Sequence, residues 1–315
     1  MPGQPTPQDL HVDALLTMLS IAYMNEPSVY IADQAFPVVT VGKQSNKIAK
    51  YDKEYWFRNE AKLRAPATES HGGGYEVDTS DTYFCENWSF HVDVAIEDRE
   101  NYDSPFDPDN DATMLVVEKF RLVREAKFAA DFFKTTVWAT DNSTATKWSD
   151  YGSSAPIQDV EAAREVIFSS TAKDPNKLVL GRAVWAQIKH HPDFIERIKY
   201  TQKAILTVDI VASLLEVDQI LVGKAIASTT NEGIATQTVG YIFGKNALLL
   251  YTPARPGLRI PSAGYTFHWN KLGSLSFVRR INDAKTQADR IEGHTYFDQK
   301  AIATDCGYFF SAIVA

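Results

Sequence analysis

The sequence predicts an α+β fold built as two interleaved lobes. A long helical pattern follows an aspartate-rich stretch near residue 107, strand-like and helix-like segments alternate between residues 177 and 243, and strand-like runs dominate the chain after residue 246. With 315 residues the chain is long enough for roughly two domains. No long linker or internal repeat separates them, so the lobes are expected to interleave.

Residues 1–9 are expected to form an extended arm, because they contain three prolines and no apolar periodicity. A short amphipathic helix is predicted over 12–25 and a strand over 36–41. Residues 1–10 have too little apolar surface to fold alone, so they are expected to gain order only along another protein surface.

A long charged excursion between residues 43 and 84 is predicted to project as a hairpin-like loop. Cations outnumber acids within Lys43–Arg64, whereas acids dominate Glu76–Asp111. Gly72–Gly74 lie between the two segments and are expected to form the tip, because glycine reaches backbone angles that other residues avoid. Such polarity suits surfaces that meet another copy in register; the alternative is that both segments are solvated surface.

Three consecutive aromatic residues occur in KEYWF, Lys53–Phe57, within the basic part of this loop. At least one ring is expected to face outward from a two-stranded projection, and exposed aromatics usually need a partner surface. The alternative is that all three rings fold onto their own core.

The strongest helical pattern runs from about residue 109 to 134. Asp107, Asp109 and Asp111 supply a cap and favourable negative charge at its start, and Pro108 suits a first turn. At about 1.5 Å per residue, such a helix would be nearly 40 Å long and could act as a beam.

Shorter patterns predict the remaining elements. They are a helix over 157–171 that Ser154 could help to start, a strand over 177–180, a helix over 182–198 broken near Pro192, a helix over 207–215, strands over 219–222 and 238–243, and strand-like runs that begin at residues 247, 264 and 308.

The composition argues against several classes of function. The net charge is −8 and no basic stripe is interleaved with aromatics, which argues against sequence-specific DNA binding. No apolar run approaches the roughly 20 residues that cross a bilayer, and the N-terminus lacks a signal-peptide pattern. Cys85 and Cys306 are too few for a disulfide framework, which fits a reduced, intracellular origin.

His71–Gly74 raises one enzymatic alternative, an esterase, because a His-Gly-Gly-Gly run can form an oxyanion hole. That fold presents its serine in a G-x-S-x-G turn. The glycines with this spacing are Gly240 and Gly244, and Ile242 stands at the serine position. The run is therefore interpreted as a loop tip.

Other chemical constellations are incomplete. His190 and His191 are adjacent, so they cannot share a metal as an i, i+4 pair could, and a structural role beside Pro192 is favoured. Glu292 and His294 would share a strand face, but nothing near them supplies a nucleophile. No phosphate-binding loop is present. The sequence predicts no catalytic residue, metal or cofactor.

Several longer stretches of the chain form a recognisable set. They are YDKEYWFRNEAKLRAPATESHGGGYEV, TKWSDY, NKLVLGRAVW, HPDFIERIKYTQ, LVGKA, YTPARPG, PSAGYTFHW, EGHTYFDQK and GYFF. Together these stretches resemble the major capsid proteins of tailed bacteriophages, and the resemblance runs from about residue 12 to the C-terminus.

This resemblance implies the Hong Kong 97 phage-type capsid fold. The implied parts are an N-terminal arm (1–29), a strand and extended loop (30–84), a peripheral domain with a spine helix (85–173, with the helix at about 109–134), an axial domain (174–245) and a return to the peripheral domain (246–315). The residues expected to contact a neighbouring subunit are Lys53, Trp56, Arg58, Lys62, Arg64, Gly72, Gly73 and Gly74.

The resemblance also implies a structural protein rather than an enzyme. It would assemble with itself as hexamers and pentamers into an icosahedral head around double-stranded DNA, in the bacterial host cytoplasm, and mature within the virion. Expected partners are a separate scaffolding protein, a portal and a decoration protein. Covalent crosslinking, known in some members, is not carried over because no feature selects one lysine. The alternative of the same fold is an encapsulin-like nanocompartment shell.

Overall fold

Two five-stranded sheets and the long helix between them form the body of the protein. A computed structural model describes residues 25–101, 107–142, 146–199, 206–230, 233, 238–257, 260–270, 277–283 and 287–315. The α-helices are α1 (Ala32–Ala35), α2 (Lys53–Phe57), α3 (Ile96–Asn101), α4 (Pro108–Phe132), α5 (Pro156–Thr171), α6 (Arg182–Ile188), α7 (Pro192–Ile198) and α8 (Val208–Leu214). The strands are β1 (Val38–Val41), β2 (Ser45–Lys47), β3 (Lys50–Tyr51), β4 (Val77–Asp78), β5 (Thr82–Phe84), β6 (Glu86–Ala95), β7 (Thr140–Asn142), β8 (Lys177–Gly181), β9 (Gln219–Gly223), β10 (Ile226–Ser228), β11 (Val239–Tyr241), β12 (Ala247–Leu250), β13 (Gly264–Trp269), β14 (Phe277–Asp283), β15 (Ala288–Ala301) and β16 (Gly307–Phe310).

The first sheet, sheet 1, is organised around the 14-residue strand β15. Strand β6 pairs with one edge of β15, and β14 and then β13 pair with the other edge; β1 adds in parallel to β13. Burial alternates along β15, so every second residue from Ile291 to Gln299 faces the interior. This pattern gives sheet 1 one apolar face for a helix to cover.

Helix α4 covers that face and is the long helix that the sequence predicts. The Asp107 carboxylate accepts the N–H groups of Asp109 (3.1 Å) and Asn110 (3.2 Å), and Pro108 occupies the first turn, as expected. A side chain at Gly293 of β15 would lie 2.4 Å from Val116 and 2.5 Å from Phe120, so α4 packs very closely on the sheet there.

The second sheet, sheet 2, has the strand order β7-β16-β12-β8-β9. Its central strands β8 and β12 are buried on both faces, as their continuous apolar sequences indicate. Leu178, Leu180 and Leu249 face a core formed with α5, α6 and α8. Val179 and Leu248 face a second core, which includes the C-terminal end of α4.

Helix α4 therefore joins the two lobes. Its N-terminal half packs on sheet 1 through Val116 and Phe120, and its C-terminal half packs under sheet 2 through Phe128 and Phe132. One helix thus contributes to both cores, which is the beam that its predicted length suggested.

Most of the shorter predicted elements are confirmed, with small shifts of their ends. Helix 182–198 is two helices, α6 and α7, and Pro192 begins the second. The strand predicted over 36–41 is shorter, because Phe36 follows the short helix α1 and is buried in a core. The strand that begins near 308 ends at Phe310. The predicted helix over 12–25 and residues 1–9 of the arm lie outside the described residues.

Two local predictions are wrong. KEYWF is the helix α2 rather than extended chain, and Asp52 caps it by accepting the N–H of Glu54 at 3.0 Å. Ser154 does not cap α5, because its hydroxyl donates to the Asp150 carbonyl at 2.6 Å and α5 begins after Ala155 without a side-chain cap.

The predicted domain boundaries are coarser than the strand pairing. Strands β13, β14 and β15 belong to sheet 1, together with β6. Strands β12 and β16 pair in sheet 2, although they fall within the predicted return segment 246–315. The chain thus crosses between the lobes several times, and the boundaries themselves stay a prediction.

Candidate assembly interface

The extended loop, residues 43–84, has almost no core of its own. Strands β2 and β5 form three residue pairs near its base, and β3 and β4 form two pairs further out. Between α2 and β4 the chain has no helix or strand. Two-stranded pieces of this size are marginal in isolation. The loop therefore depends on contacts that other parts of the protein or another molecule supply.

The exposed aromatic cluster is formed by two exposed rings, Trp56 and Tyr75, and the half-buried ring of Tyr51. The ring centroids lie 6.1 to 6.3 Å apart, in tilted and edge-on arrangements. Trp56 is 55% exposed and Tyr75 65%, and Phe57 beside the cluster is 61% exposed. The expectation that a ring of KEYWF faces outward is confirmed.

Three cations of the loop, Lys50, Lys53 and Arg58, form ion pairs within the chain. Lys53 forms an ion pair with Asp305, and Lys50 forms one with Asp81 across the ladder. Arg58 contacts Glu60 at 3.0 Å and also lies over the Tyr55 ring at 5.4 Å. These three cations are already neutralised before any neighbour arrives.

Two candidate residues nearer the tip are less committed. Lys62 has no ion pair with any described residue, and the Arg64 side chain donates only to the carbonyl of Thr68. Both line an open groove of about 310 Å³ that also includes His71, and the intervening Leu63 is fully exposed. This end of the loop offers unpaired positive charge beside apolar surface.

The three glycines of the tip are exposed, and their backbone angles are ordinary. The positive-φ glycines among the described residues are Gly233 and Gly244, so Gly72–Gly74 do not use the left-handed region in this conformation. A Cβ at Gly73 would lie 2.6 Å from a carboxylate oxygen of Glu60, whereas Gly72 and Gly74 face open space. Because that oxygen is the end of a flexible side chain that can move aside, neither a close contact nor a positive φ requires glycine at the tip in this conformation.

The acidic segment, Glu76–Asp111, is also partly neutralised by ion pairs within the chain. Asp93 accepts from Arg290 at 2.8 Å, and Asp109 accepts from Arg99 at 2.6 Å. Arg99 and Arg280 both contact Asp289, and these hydrogen bonds hold the pKa of that carboxyl well below its usual range. The acidic side chains without an ion pair to a described residue include Glu76, Glu97 and Glu100.

The geometry does not assemble the esterase that His71–Gly74 suggested. Gly240 lies within strand β11, which ends at Tyr241, and Gly244 lies in the turn that follows. This spacing therefore forms no strand-to-helix elbow. Ile242 occupies the serine position and is half-buried. Within the described residues, no group of three or more His, Cys, Asp or Glu could hold a metal ion.

The histidines flagged by the sequence have structural partners. His191 is buried and begins α7: its Nδ1 accepts the N–H of Asp193 (3.2 Å), and its Nε2 lies 2.8 Å from the Ser154 hydroxyl. Burial lowers the pKa of His191. Glu292 and His294 do share a face, 3.2 Å apart, and the hydrogen bond from Arg279 lowers the pKa of Glu292.

One feature that the sequence did not reveal is the way the chain enters the body. Glu118 and Glu125 of α4 bind backbone and hydroxyl groups of residues 25–32. Glu125, which lies among the apolar positions of α4, was the available signal. Its partners Ile31 and Ala32 lie more than 90 residues away, so the sequence pattern alone could not identify them.

Among the described residues, no helix is both long and apolar enough for a bilayer.

The overall arrangement is that of a known shell protein. A long helix across a long-stranded sheet, a second sheet covered by helices and a projecting loop define the Hong Kong 97 phage-type capsid fold. The capsid of cyanophage P-SCSP1u has this likeness over 99% of both chains, with a TM-score of 0.64 and 10% identity. A phage-related protein from Bordetella bronchiseptica has a TM-score of 0.70 and 24% identity over 92% of this chain and 94% of its own.

Sequence relatives narrow the class further. The major capsid protein of Burkholderia phage BcepMu is 30% identical over 313 residues, which is 96% of both chains. The major capsid protein of Pseudomonas phage JBD67 is 26% identical over 96% of this chain and 97% of its own. No protein-family model matches the sequence. This chain belongs to the phage major capsid proteins.

The nanocompartment alternative has less support. The holo-SrpI encapsulin of Synechococcus elongatus shares the fold with a TM-score of 0.53 and 11% identity, covering 96% of this chain and 95% of its own. At that identity the likeness concerns the fold alone, whereas the phage relatives resemble this chain in sequence along its length.

Proposed function

We propose that this chain assembles as hexamers and pentamers into an icosahedral phage head that encloses double-stranded DNA, with each extended loop lying on a neighbouring subunit. The relatives that support a shell function are similar along nearly the whole chain. The observation that carries the loop contact is the exposed aromatic cluster, because a soluble protein rarely leaves such a surface without a partner.

Burial of these rings would supply most of the contact energy. A large apolar side chain contributes about 1.5–3 kcal/mol when it is fully buried. Trp56 and Phe57 are more than half exposed, so most of that contribution is still available in the single chain. Because every subunit of a shell repeats the contact, even a modest gain per loop favours the closed lattice.

Charge would set the direction of the loop. Lys62 and Arg64 are loop cations that form no ion pair with a described residue, and Glu97 and Glu100 are acids on α3 that form none either. Exposed ion pairs contribute only about 0–1 kcal/mol each. Such pairs select the register of one copy on another rather than hold it.

The remaining parts of the proposal concern other molecules. The net charge of −8 suits a wall that does not grip DNA, since a strongly cationic surface would bind the phosphate backbone and oppose packing and ejection. We include a separate scaffolding protein, a portal and a decoration protein as partners, assembly in the host cytoplasm, and a structural rather than catalytic role. The virion is where the mature protein would reside.

Electron microscopy of the purified chain tests the proposal directly. We expect closed particles from the wild type and from Phe168→Ala, which removes a 45% exposed aromatic on α5, far from the loop in sequence. Trp56→Ala should remain largely unassembled with an unchanged circular dichroism spectrum. Closed particles from Trp56→Ala at wild-type yield would reject the loop contact.

The content of the particles separates the two shell functions. Particles recovered from infected cells should contain double-stranded DNA if the chain forms a phage head. Particles that hold an enzyme cargo and no nucleic acid would instead support the encapsulin-like nanocompartment, whose fold is the same. Hydrolysis of a generic ester by the pure chain would revive the esterase.

A further inference from the structure

The entry segment, residues 25–36, leads the chain into the body and adds no strand to either sheet. At its start, the N–H of Asn25 donates to Oε1 of Glu118 (3.2 Å), and the Tyr30 hydroxyl donates to the same oxygen. The side-chain amide of Asn25 also donates to the carbonyl of Ile226 (3.1 Å) and accepts the N–H of Ile226 (3.2 Å). Polar contacts to distant elements thus hold this end.

A second carboxylate of α4 holds the middle of the entry segment. Glu125 lies two helical turns beyond Glu118, on nearly the same face. It accepts the N–H of Ile31 (2.9 and 3.1 Å) and the N–H of Ala32 (2.9 Å), which are backbone donors without a partner inside the short helix α1. Glu125 is 1% exposed, so water does not replace these bonds while the contact is closed.

No described cation binds Glu125. The adjacent Arg124 turns away from it, donating to Asp33 at 2.7 Å and lying over the Phe297 ring at 5.2 Å. Asp33 is the titratable group whose charge disfavours that of Glu125. Burial raises the pKa of the Tyr30 hydroxyl, which therefore stays neutral. Burial raises the pKa of Glu125 to about 7, while the two backbone donors oppose the rise. The contact is closed but electrostatically strained.

The far end of the entry segment is anchored differently. Phe36 is completely buried, and its ring lies 5.0 Å from Phe128, 4.7 Å from Phe132 and 6.4 Å from Trp138. Between residues 25 and 35, the core buries Ile31, Ala32 and Ala35. Opening residues 25–33 would therefore break side-chain to backbone bonds and expose Ile31 and Ala32, while Phe36 stays in its aromatic cluster.

We propose that Glu118 and Glu125 form a latch that can release residues 25–33 while Phe36 and both lobes stay folded. Release would allow the chain to enter an assembled shell along a different path from the one that it follows in the free subunit. This consequence rests on the proposed shell function, whereas the latch itself is a property of the single chain.

Hydrogen exchange of the full-length chain, kept below its assembly concentration, tests the latch. The variant Tyr30→Phe/Glu125→Gln removes the hydroxyl donor to Glu118 and replaces the buried carboxylate with a weaker acceptor of the same shape. We expect the amides of Ile31 and Ala32 to exchange at least about tenfold faster, since bonds to a charged acceptor are lost. Strand β12 should exchange at the wild-type rate, as should every segment in the control Glu161→Gln, at an exposed position of α5.

Two outcomes would overturn the proposal. If the entry segment of the double variant exchanges at the wild-type rate, the two carboxylates do not hold it. Equal acceleration in the entry segment and in β12 would mean that the segment opens only with the core and is not a separate latch. Because the measurement uses unassembled protein, a chain that never forms shells would disprove the proposed function without affecting this result.

Discussion

Replacing Glu125 with glutamine should make the stability of the subunit less dependent on pH. The carboxyl is buried without a cation, and its pKa is about 7 in the folded chain against 4.5 for an ordinary glutamate. A raised folded-state pKa contributes stability that is fully present below the unfolded value and is lost as the pH rises through the folded value. For Glu125, this window lies between about pH 4.5 and pH 7.

The size of the effect follows from the same two values. The difference between the folded and ordinary pKa values of Glu125 corresponds to about 3.4 kcal/mol of unfolding free energy, at about 1.36 kcal/mol per pKa unit. An acidic chain is poorly soluble near its isoelectric point, so a practical experiment starts at about pH 6 and ends at about pH 8.5. Over that range the two-state linkage equation gives a loss of about 1.4 kcal/mol from this one group.

Urea unfolding at several pH values measures the loss. The wild type and Glu125→Gln share every other titrating group, so the difference between their pH profiles isolates Glu125. We expect the free energy of unfolding of the wild type to fall by about 1.4 kcal/mol more than that of the variant between pH 6 and pH 8.5. Parallel profiles would refute the reasoning, because they would show that Glu125 is ionised as easily in the folded chain as in the unfolded one.

Three further substitutions test the loop and the helix packing. Lys62→Glu should lower the yield of closed particles in electron microscopy without changing the circular dichroism of the subunit, whereas Lys173→Glu, an equal charge change in the other lobe, should not. Replacing Gly72–Gly74 with valine should also leave the subunit folded and block closed shells, because β-branched residues restrict the backbone paths that the tip can take in differently curved places; normal shells would contradict this. Gly293→Ala should lower the free energy of unfolding by about 1–3 kcal/mol in urea, because it overpacks the interface with α4.

The elements that the sequence predicted well are those with a long regular period or a strong terminal signal. Helix α4 was predicted over 109–134 and spans Pro108–Phe132, since its cap at Asp107 and its apolar spacing agree. Strands β8 and β12 were found because both faces are buried and their sequences are continuously apolar. Local pattern and tertiary environment point to the same structure in these places.

The elements that were missed depend on contacts that are distant in sequence. Helix α2 has only five residues, and its aromatic sequence favours extended chain until the Asp52 cap is counted. The Lys53 ion pair joins residues 252 positions apart, so charge balance along the chain could not predict it. The glycine tip was expected to use unusual backbone angles, whereas none of Gly72–Gly74 has a positive φ.

The extended loop pairs its cations near the base and leaves a cation unpaired near the tip. Lys50 and Lys53 bind acids of their own chain at the base, and such exposed pairs fix direction more than strength. Beyond α2, Lys62 has no ion pair with a described residue, and the aromatic rings beside this region are open to solvent. If the tip also found its partners within its own chain, nothing would remain for a neighbour to bury. Under the proposed loop contact, a loop aimed by its own subunit and completed by the next one would gain its stability only in the lattice, which would favour assembled shells over free subunits.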